Sequence, residues 1–362
     1  MDKESVLKKI KNHFKNQVIK GKKDRSTFLL VHSEKLNIDL NLIDGKVNNI
    51  QANFEQPYHL ASVGKLFTAT LISILYEQGK LNYEDKISKY LDEDLIKNLH
   101  VYKGIDYSNK ITIKNLLMQT SGLNDVFYHL FEKMQKDSSY KPTTKEAIIW
   151  GKENLKPISK PNENFFYTDT NYYLLGFIIE SITKKKFHEA IHESILNPLK
   201  MKYTYLYGFS NPEIKTKKPL ADLYINNLSL TSLKGIHQID YAGGSICAPP
   251  NDYLKFIKAL VEGKLIRKET LNKMINDDIL MGFPMIGFRY GYSTWKPITI
   301  PLLMPKKYYC WGCVGVTGAY MFYHPFTKSY IIGTFNDFSY QRKALQFMIT
   351  KIIKELLKIG YK

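Results

Sequence analysis

Apolar positions near both ends of the chain have the composition and spacing that are typical of short β-strands. The segment 27–33 is rich in apolar residues, and 36–44 alternates apolar with polar positions. Toward the C-terminus, 291–298, 318–325 and 329–337 are rich in aromatic and β-branched residues. Because only a short turn separates the last two segments, we expect them to form an antiparallel hairpin.

Helical spacing of apolar residues dominates the rest of the chain. An amphipathic helix is expected over 4–19, and Leu345, Met348, Ile352 and Leu356 mark an apolar stripe on a C-terminal helix. Six further helices are predicted at 62–78, 111–119, 144–154, 171–183, 187–196 and 251–262.

The order of strands, then helices, then strands indicates an α+β fold. The simplest packing is one antiparallel sheet assembled from the two chain termini, flanked by the N- and C-terminal helices, with an all-helical lobe inserted between them. We therefore expect 1–61 and 285–362 to form an α/β lobe, and 62–284 to form a mostly helical lobe.

The formal net charge of +18 changes this picture little. The lysines are spread along the whole chain without a long basic block, so we expect a solvated surface and no nucleic-acid partner. The N-terminal residues contain no apolar export segment, and the chain nowhere runs 18 apolar residues. These features predict a soluble, cytoplasmic protein without an integral membrane segment. The sequence carries no signal for an oligomeric state.

The cysteines do not indicate a disulfide framework, since only Cys247, Cys310 and Cys313 are present. Cys310 and Cys313 lie three apart in a strand-like stretch, where their side chains are expected to point to opposite faces. We therefore expect neither a redox nor a metal role for this pair.

A Ser-x-x-Lys motif is the strongest chemical signal. On a helix this spacing puts the hydroxyl and the amine on one face, where a lysine of lowered pKa can activate the serine. The motif recurs by chance in this lysine-rich chain, but only Ser62 and Lys65 stand at the start of a strongly apolar helix. Its N-terminal field favours negative charge on the Ser62 oxygen and opposes an ammonium at Lys65. The alternative is that Ser62 is merely a helix N-cap.

At this point the chain resembles the serine β-lactamase family, in the branch of the class C enzymes and D-alanyl-D-alanine carboxypeptidases. The similar segments run in order from 57 to 337. They match the family's nucleophile helix, its Thr-Ser-Gly-Leu loop, its tyrosine segment, its Pro-Leu-Gly-Met turn and two further segments, at 57–91, 111–123, 161–183, 195–204, 243–265 and 311–325. The resemblance implies a β-lactamase/transpeptidase-like fold, in agreement with the pattern above.

The resemblance also implies roles for individual residues. Ser62 would be acylated, Lys65 would assist removal of its proton, and Tyr167, as phenol or phenolate with a lowered pKa, would pass a proton to the leaving group. The oxyanion hole would consist of the backbone N–H groups of Ser62 and Val316, and Gly315 would leave room for the substrate. This chemistry requires no cofactor and no metal.

Two positions depart from the family pattern, and both are expected to contact the substrate. Asp169 replaces the asparagine of Tyr-x-Asn, and Cys313 replaces the lysine or histidine that precedes Thr-Gly. A neutral thiol cannot hold a substrate carboxylate, so a true β-lactamase or carboxypeptidase is disfavoured. Arg289 is a candidate source of the missing charge.

Asp169 has two interpretations. It grips a substrate ammonium, which is our preferred hypothesis, or it pairs with Lys65 and keeps that lysine protonated. The first favours a hydrolase of small esters, amides or peptide-like substrates, either an esterase or a D-amino-acid amidase.

Two rival functions remain open. A catalytically weak penicillin-binding or sensor module would retain the fold without efficient chemistry. His188, Glu189 and His192 fit the His-Glu-x-x-His pattern of zinc hydrolases, but they lie in a segment that the resemblance explains as an ordinary helix and turn.

Overall fold

A single antiparallel sheet forms the centre of the molecule. The computed structural model describes residues 1–20, 25–225, 228–283, 285–302 and 304–359. Within these residues the main sheet has eight strands, each antiparallel to its neighbours. In spatial order they are Ile279–Leu280, Phe288–Tyr290, Trp295–Pro297, Trp311–Val314, Tyr320–His324, Ser329–Thr334, Thr27–Ser33 and Ile38–Asp44. The two chain termini therefore build one sheet, as the sequence predicts.

The predicted hairpin is present. Tyr320–His324 pairs with Ser329–Thr334, and the Lys328 N–H donates to the Pro325 carbonyl at 3.2 Å to close the turn. Ser329–Thr334 in turn pairs with Thr27–Ser33, so the hairpin joins the C-terminal strands to the N-terminal ones.

Helices cover the sheet and fill the middle of the chain. The described helices are Lys3–Lys20, Lys65–Glu77, Glu93–Ile96, Ile113–Leu117, Phe127–Lys136, Thr144–Asn154, Thr170–Thr183, Phe187–Ile191, Ile236–Gly244, Pro250–Glu262, Lys268–Asn276, Gln341–Phe347 and Lys354–Leu356. Wider π-type turns, His192–Leu196 and Met348–Ile353, continue two of them. Among the described helices, none combines the length and the apolar character that crossing a bilayer requires.

Apolar faces at helical spacing explain how the terminal helices dock. Val6, Ile10 and Phe14 are buried on the first helix, which packs against Ile38–Asp44 and against the C-terminal helical segment. Helix Pro250–Glu262 packs on the central strands of the sheet.

The sheet extends beyond the lobe boundaries expected from the sequence. Strand Ile279–Leu280 belongs to the main sheet although it falls within 62–284, because its pairing with Phe288–Tyr290 extends the sheet edge. The division of the chain into two lobes stays a prediction.

Short strand pairs complete the fold. Three of them are two-stranded: Lys46–Val47 with Ile50–Gln51, Val101–Tyr102 with Ile105–Asp106, and Tyr224–Ile225 with Leu228–Ser229. Tyr58–His59 pairs with Ile246–Ala248, which also pairs with Tyr205–Leu206. The strand Tyr58–His59 of this small sheet ends three residues before Ser62.

Candidate active site

Ser62 lies in a tight turn that leads into the buried helix Lys65–Glu77. The turn is a single 3-10 segment, Ala61–Gly64, and neither it nor the helix is capped by a side chain. Ser62 is therefore not the N-cap that the alternative interpretation required. Ser62 instead lines a cavity of the described structure. The turn packs closely against Gly244, and this requires glycine at position 64, since a Cβ there would lie 2.9 Å from the Gly244 Cα.

Lys65 is completely buried one turn after Ser62. Its Nζ donates to the Ser62 Oγ at 3.1 Å, to the Gly243 carbonyl at 3.1 Å, and to the Asp169 carboxylate in a very short contact. Three acceptors match the three protons of an ammonium. Burial lowers the pKa of Lys65, but the charge and the hydrogen bond of Asp169 outweigh burial and raise it above its usual range. The prediction that the helix field helps Lys65 to lose its proton is therefore wrong, because Asp169 stabilises the ammonium.

The structure has the second of the two arrangements considered for Asp169. The carboxylate forms an ion pair with Lys65, although it also lines the cavity and its side chain is 15% exposed. Our preferred hypothesis, a carboxylate free to grip a substrate ammonium, therefore needs correction: the nearest cation is the protein's own lysine.

Tyr167 stands beside the same ammonium as a neutral phenol. The Lys65 Nζ lies 5.2 Å from the centre of its ring, and Trp295 packs on the ring edge. Burial, the charge of Asp169 and the neighbouring Cys313 raise the pKa of Tyr167 well above its usual value, although the Ser62 hydroxyl opposes this rise. The predicted lowering of this pKa is wrong, because burial and the charge of Asp169 both raise it.

The Tyr167 hydroxyl has unused hydrogen-bonding capacity. It is buried and makes no close hydrogen bond to a described residue, although the Ser62 hydroxyl is near enough to lower its pKa. Buried hydroxyls are rarely left in this state, so the oxygen is available to a group that enters the cavity.

The cavity is aromatic and acidic. It has a volume of about 330 Å³, and Tyr128, Phe165, Phe166, Trp295 and Phe338 contribute to its walls. Three carboxylates also line it, from Asp125, Asp169 and Asp240. Within the described residues, neither a lysine nor an arginine is part of this lining, although the whole chain carries a charge of +18.

Sequence reasoning missed Asp125. Its carboxylate accepts from the Asp169 N–H at 2.8 Å and from the Thr168 hydroxyl at 3.1 Å. Burial and the charge of Asp169 raise the pKa of Asp125 to about 7. The available signal was its place two residues after the Thr-Ser-Gly-Leu loop. His59 and Asp240, which also line the cavity, were missed as well.

Cys313 supports the nucleophile segment from behind. Its Sγ lies 3.4 Å from the Ser62 carbonyl oxygen, the residue is completely buried, and it is absent from the described cavity lining. Burial raises the pKa of this thiol to about 12. The expectation that Cys313 contacts substrate is not met in this structure, because the Ser62 turn covers it. Cys247 and Cys310 are also free and buried.

Gly315 and Val316 come directly after the strand Trp311–Val314 in the sequence, and Gly315 lies beside the turn that contains Ser62. A Cβ on Gly315 would lie 2.8 Å from the Leu60 carbonyl oxygen, 3.1 Å from the Ala61 Cβ and 3.3 Å from the Ser62 amide nitrogen. The reason for glycine is therefore the close approach of the turn, rather than space for a substrate. Val316 lines the cavity, so the two candidate oxyanion donors lie on adjacent backbone segments.

This contact predicts the effect of Gly315→Ala. We expect a loss of about 1–3 kcal/mol in the free energy of unfolding, because the new Cβ must displace the Ser62 turn. Chemical denaturation measures this change. Gly282→Ala is the matched control, since its Cβ would meet nothing within 4 Å. Equal stability of the two variants would contradict the close approach.

Arg289 does not supply the missing cation. It forms an ion pair with Asp278 and is not part of the described cavity lining.

The residues of the His-Glu-x-x-His motif contact neighbouring residues of the protein. Glu189 accepts from the Lys186 N–H at 2.9 Å at the start of its helix, and the His192 Nε2 lies 3.0 Å from the Ser210 hydroxyl. His188 stacks against Phe209. Within the described part of the chain, no three histidine, cysteine or acidic side chains form a group that fits a metal ion.

Comparison with known proteins identifies the family of the chain. The Beta-lactamase family model matches residues 41–348, which is most of the chain. The chain belongs to the beta-lactamase family. The resemblance read from the motifs, the predicted membership in a family of serine hydrolases and the α+β fold class are thereby confirmed.

Individual relatives are more distant. A teichoic acid D-alanine hydrolase from Staphylococcus aureus is 27% identical over 235 residues, which are 64% of this chain and 53% of that protein. Penicillin-binding protein 4* from Bacillus subtilis strain 168 is 28% identical over 251 residues, which are 65% of this chain and 51% of that protein. The chain thus spans about half the length of these curated relatives.

A solved structure shows the fold over nearly the whole chain. The D-amino acid amidase from Ochrobactrum anthropi SV3, complexed with D-phenylalanine, superposes with a TM-score of 0.79. The match covers 98% of this chain and 99% of the amidase at 18% sequence identity.

Proposed function

We propose that the protein is a serine hydrolase that forms an acyl intermediate on Ser62. The observation that carries the proposal is the 3.1 Å contact between the Ser62 Oγ and the Lys65 Nζ at the wall of an aromatic cavity that also contains Tyr167. A nucleophile within hydrogen-bond reach of a nitrogen base is the arrangement that acyl transfer requires.

Each group has a defined task. Lys65, once its ammonium proton has passed to solvent water, takes the proton of Ser62 while the Ser62 oxygen bonds to the substrate carbonyl carbon. The N–H groups of Ser62 and Val316 stabilise the carbonyl oxygen as it becomes negative. The Tyr167 phenol relays the proton from Lys65 to the leaving oxygen or nitrogen, whose bond to carbon breaks. Water then attacks the acyl ester, and its proton returns to Ser62 through Lys65.

The charge of the cavity indicates the substrate class. The carboxylate of Asp240, together with the paired Asp169 and the partly ionised Asp125, repels a substrate carboxylate, and neither a lysine nor an arginine is part of the described lining to hold one. We therefore propose a small ester or amide with an apolar acyl group, uncharged or bearing an ammonium, rather than a β-lactam. The names of two relatives, a D-alanine hydrolase and a D-amino acid amidase, point to D-amino-acid derivatives.

One observation favours a second candidate. The Lys65 to Asp169 ion pair holds the lysine in the form that cannot accept a proton. A binding or sensor module that retains the fold, acylates slowly and turns over poorly is the function that such a pair allows.

The test combines covalent labelling with matched esters. We expect a fluorophosphonate adduct on Ser62, located by peptide mass spectrometry. We also expect the methyl esters of D-phenylalanine and of 3-phenylpropionate to be hydrolysed about tenfold faster or more than that of N-succinyl-D-phenylalanine, whose carboxylate meets the acidic wall. Equal rates of hydrolysis for the three esters would contradict the proposed substrate class. A slow penicillin adduct without turnover of any ester would favour the binding module, and no adduct would reject the hydrolase.

A further inference from the structure

His59 contacts the nucleophile segment from the end of the small sheet. Its Nδ1 accepts the Ala61 N–H at 2.9 Å, and its Nε2 lies 2.7 Å from the Asp240 carboxylate. The histidine is buried, and both His59 and Asp240 reach the cavity wall. The steps described above use neither residue.

The two contacts indicate which tautomer the imidazole adopts. A backbone N–H only donates, so the Nδ1 that faces Ala61 must carry a lone pair. The single proton of the ring is then on Nε2, where Asp240 accepts it. An imidazolium would place a second proton between Nδ1 and the Ala61 amide and would break that contact.

The backbone that His59 holds is unusual. Ala61 has φ +47°, a left-handed conformation that costs free energy for a residue with a side chain. Ala61 directly precedes Ser62, and it is enclosed on two sides. A Cβ on Gly244 would lie 2.8 Å from the Ala61 carbonyl carbon, and one on Gly315 would lie 3.1 Å from the Ala61 Cβ. Small changes at this amide therefore move the nucleophile.

We propose that His59 is a positioning residue for Ser62, which it holds through the Ala61 amide, and that Asp240 keeps its imidazole in the accepting tautomer. This inference rests on the proposed function, because the group being positioned is the nucleophile. It assigns a task to the His59 and Asp240 pair that lies outside the Ser62, Lys65 and Tyr167 set.

Two substitutions of His59 by an amide side chain each remove one of its two hydrogen bonds and keep the other. In His59→Asn the side-chain oxygen branches where Nδ1 does, so it still accepts from Ala61 but does not reach Asp240. In His59→Gln the amide extends toward the position of Nε2, so it still donates to Asp240 but leaves the Ala61 N–H without its acceptor. His59→Ala removes both contacts.

The rate of fluorophosphonate labelling at Ser62 is the first measurement. We expect His59→Gln and His59→Ala to be labelled about tenfold more slowly or worse, because a small displacement of the nucleophile is costly, whereas His59→Asn stays within about threefold of the wild type. Equal losses in all three variants, or a normal rate in His59→Gln, would overturn the proposal.

Amide hydrogen exchange of the peptide that contains Ala61 is the second measurement. It does not depend on the chemistry of Ser62. We expect faster exchange in His59→Gln and His59→Ala than in the wild type and in His59→Asn. If the wild type gave no adduct but this exchange pattern held, the proposed hydrolase would fail while the hold of His59 on the turn would stand. The same exchange in all four proteins would reject that hold.

Discussion

We expect the Ser62→Ala variant to fold normally and to lose about 10³-fold or more in kcat/KM on any ester that the wild type hydrolyses. The reason is that no acyl intermediate can form without the Oγ, whereas the cavity and the candidate oxyanion donors remain. Initial rates on the 3-phenylpropionate ester, corrected for spontaneous hydrolysis, measure this loss. The fluorophosphonate adduct should disappear from the same protein.

A second serine on the same helix provides the control. The Ser73 hydroxyl is buried, donates to the Ala69 carbonyl at 2.8 Å and accepts from the Tyr83 hydroxyl at 2.9 Å. Ser73→Ala should cost about 1 kcal/mol of stability and keep the adduct on Ser62. An adduct that persists in Ser62→Ala would identify another nucleophile and would reject the proposed mechanism.

The local elements of the fold follow from residue spacing. The strand at 27–33 and the helix at 144–154 have the bounds in the structure that the sequence predicts. Both signals are periodic and local, so the chain around each element suffices to predict it. Strand Ile279–Leu280 was harder to predict, because it is only two residues long and depends on pairing with a neighbour.

The candidate site was predictable only in part. Ser62, Lys65 and Tyr167 were found from motif order, and the structure brings the three together. Their ionisation was not predictable, because it depends on burial and on charges brought from elsewhere. Asp169 is 104 residues away from Lys65 in sequence, yet it decides the protonation of that lysine. It also helps keep Tyr167 a phenol, which reverses the expectation drawn from the lysine alone.

Asp169→Asn should move the pH dependence of the reaction to lower pH. In the wild type, Asp169 raises the pKa of Lys65, so the amine that accepts the Ser62 proton is scarce at neutral pH. We expect kcat/KM for the uncharged 3-phenylpropionate ester to keep rising as the pH increases from 7 to 9. Asparagine removes the charge while burial still lowers the pKa of Lys65. The rise should then occur at lower pH, and the rate at pH 7 should increase about tenfold for every pH unit by which the profile moves.

Two comparisons make this result specific to the ion pair. Asp125→Asn removes a carboxylate from the same wall without removing a hydrogen bond to Lys65, so it should move the profile less. The D-phenylalanine ester, measured alongside, should show a higher KM in Asp169→Asn only if Asp169 also grips the substrate ammonium. A wild-type profile that is flat from pH 7 to 9, together with an inactive Asp169→Asn, would contradict this prediction. Asp169 would then be the final acceptor of the Ser62 proton. A proton that moves from Lys65 to Asp169 leaves the total number of protons on the pair unchanged, so this step would not make the rate depend on pH.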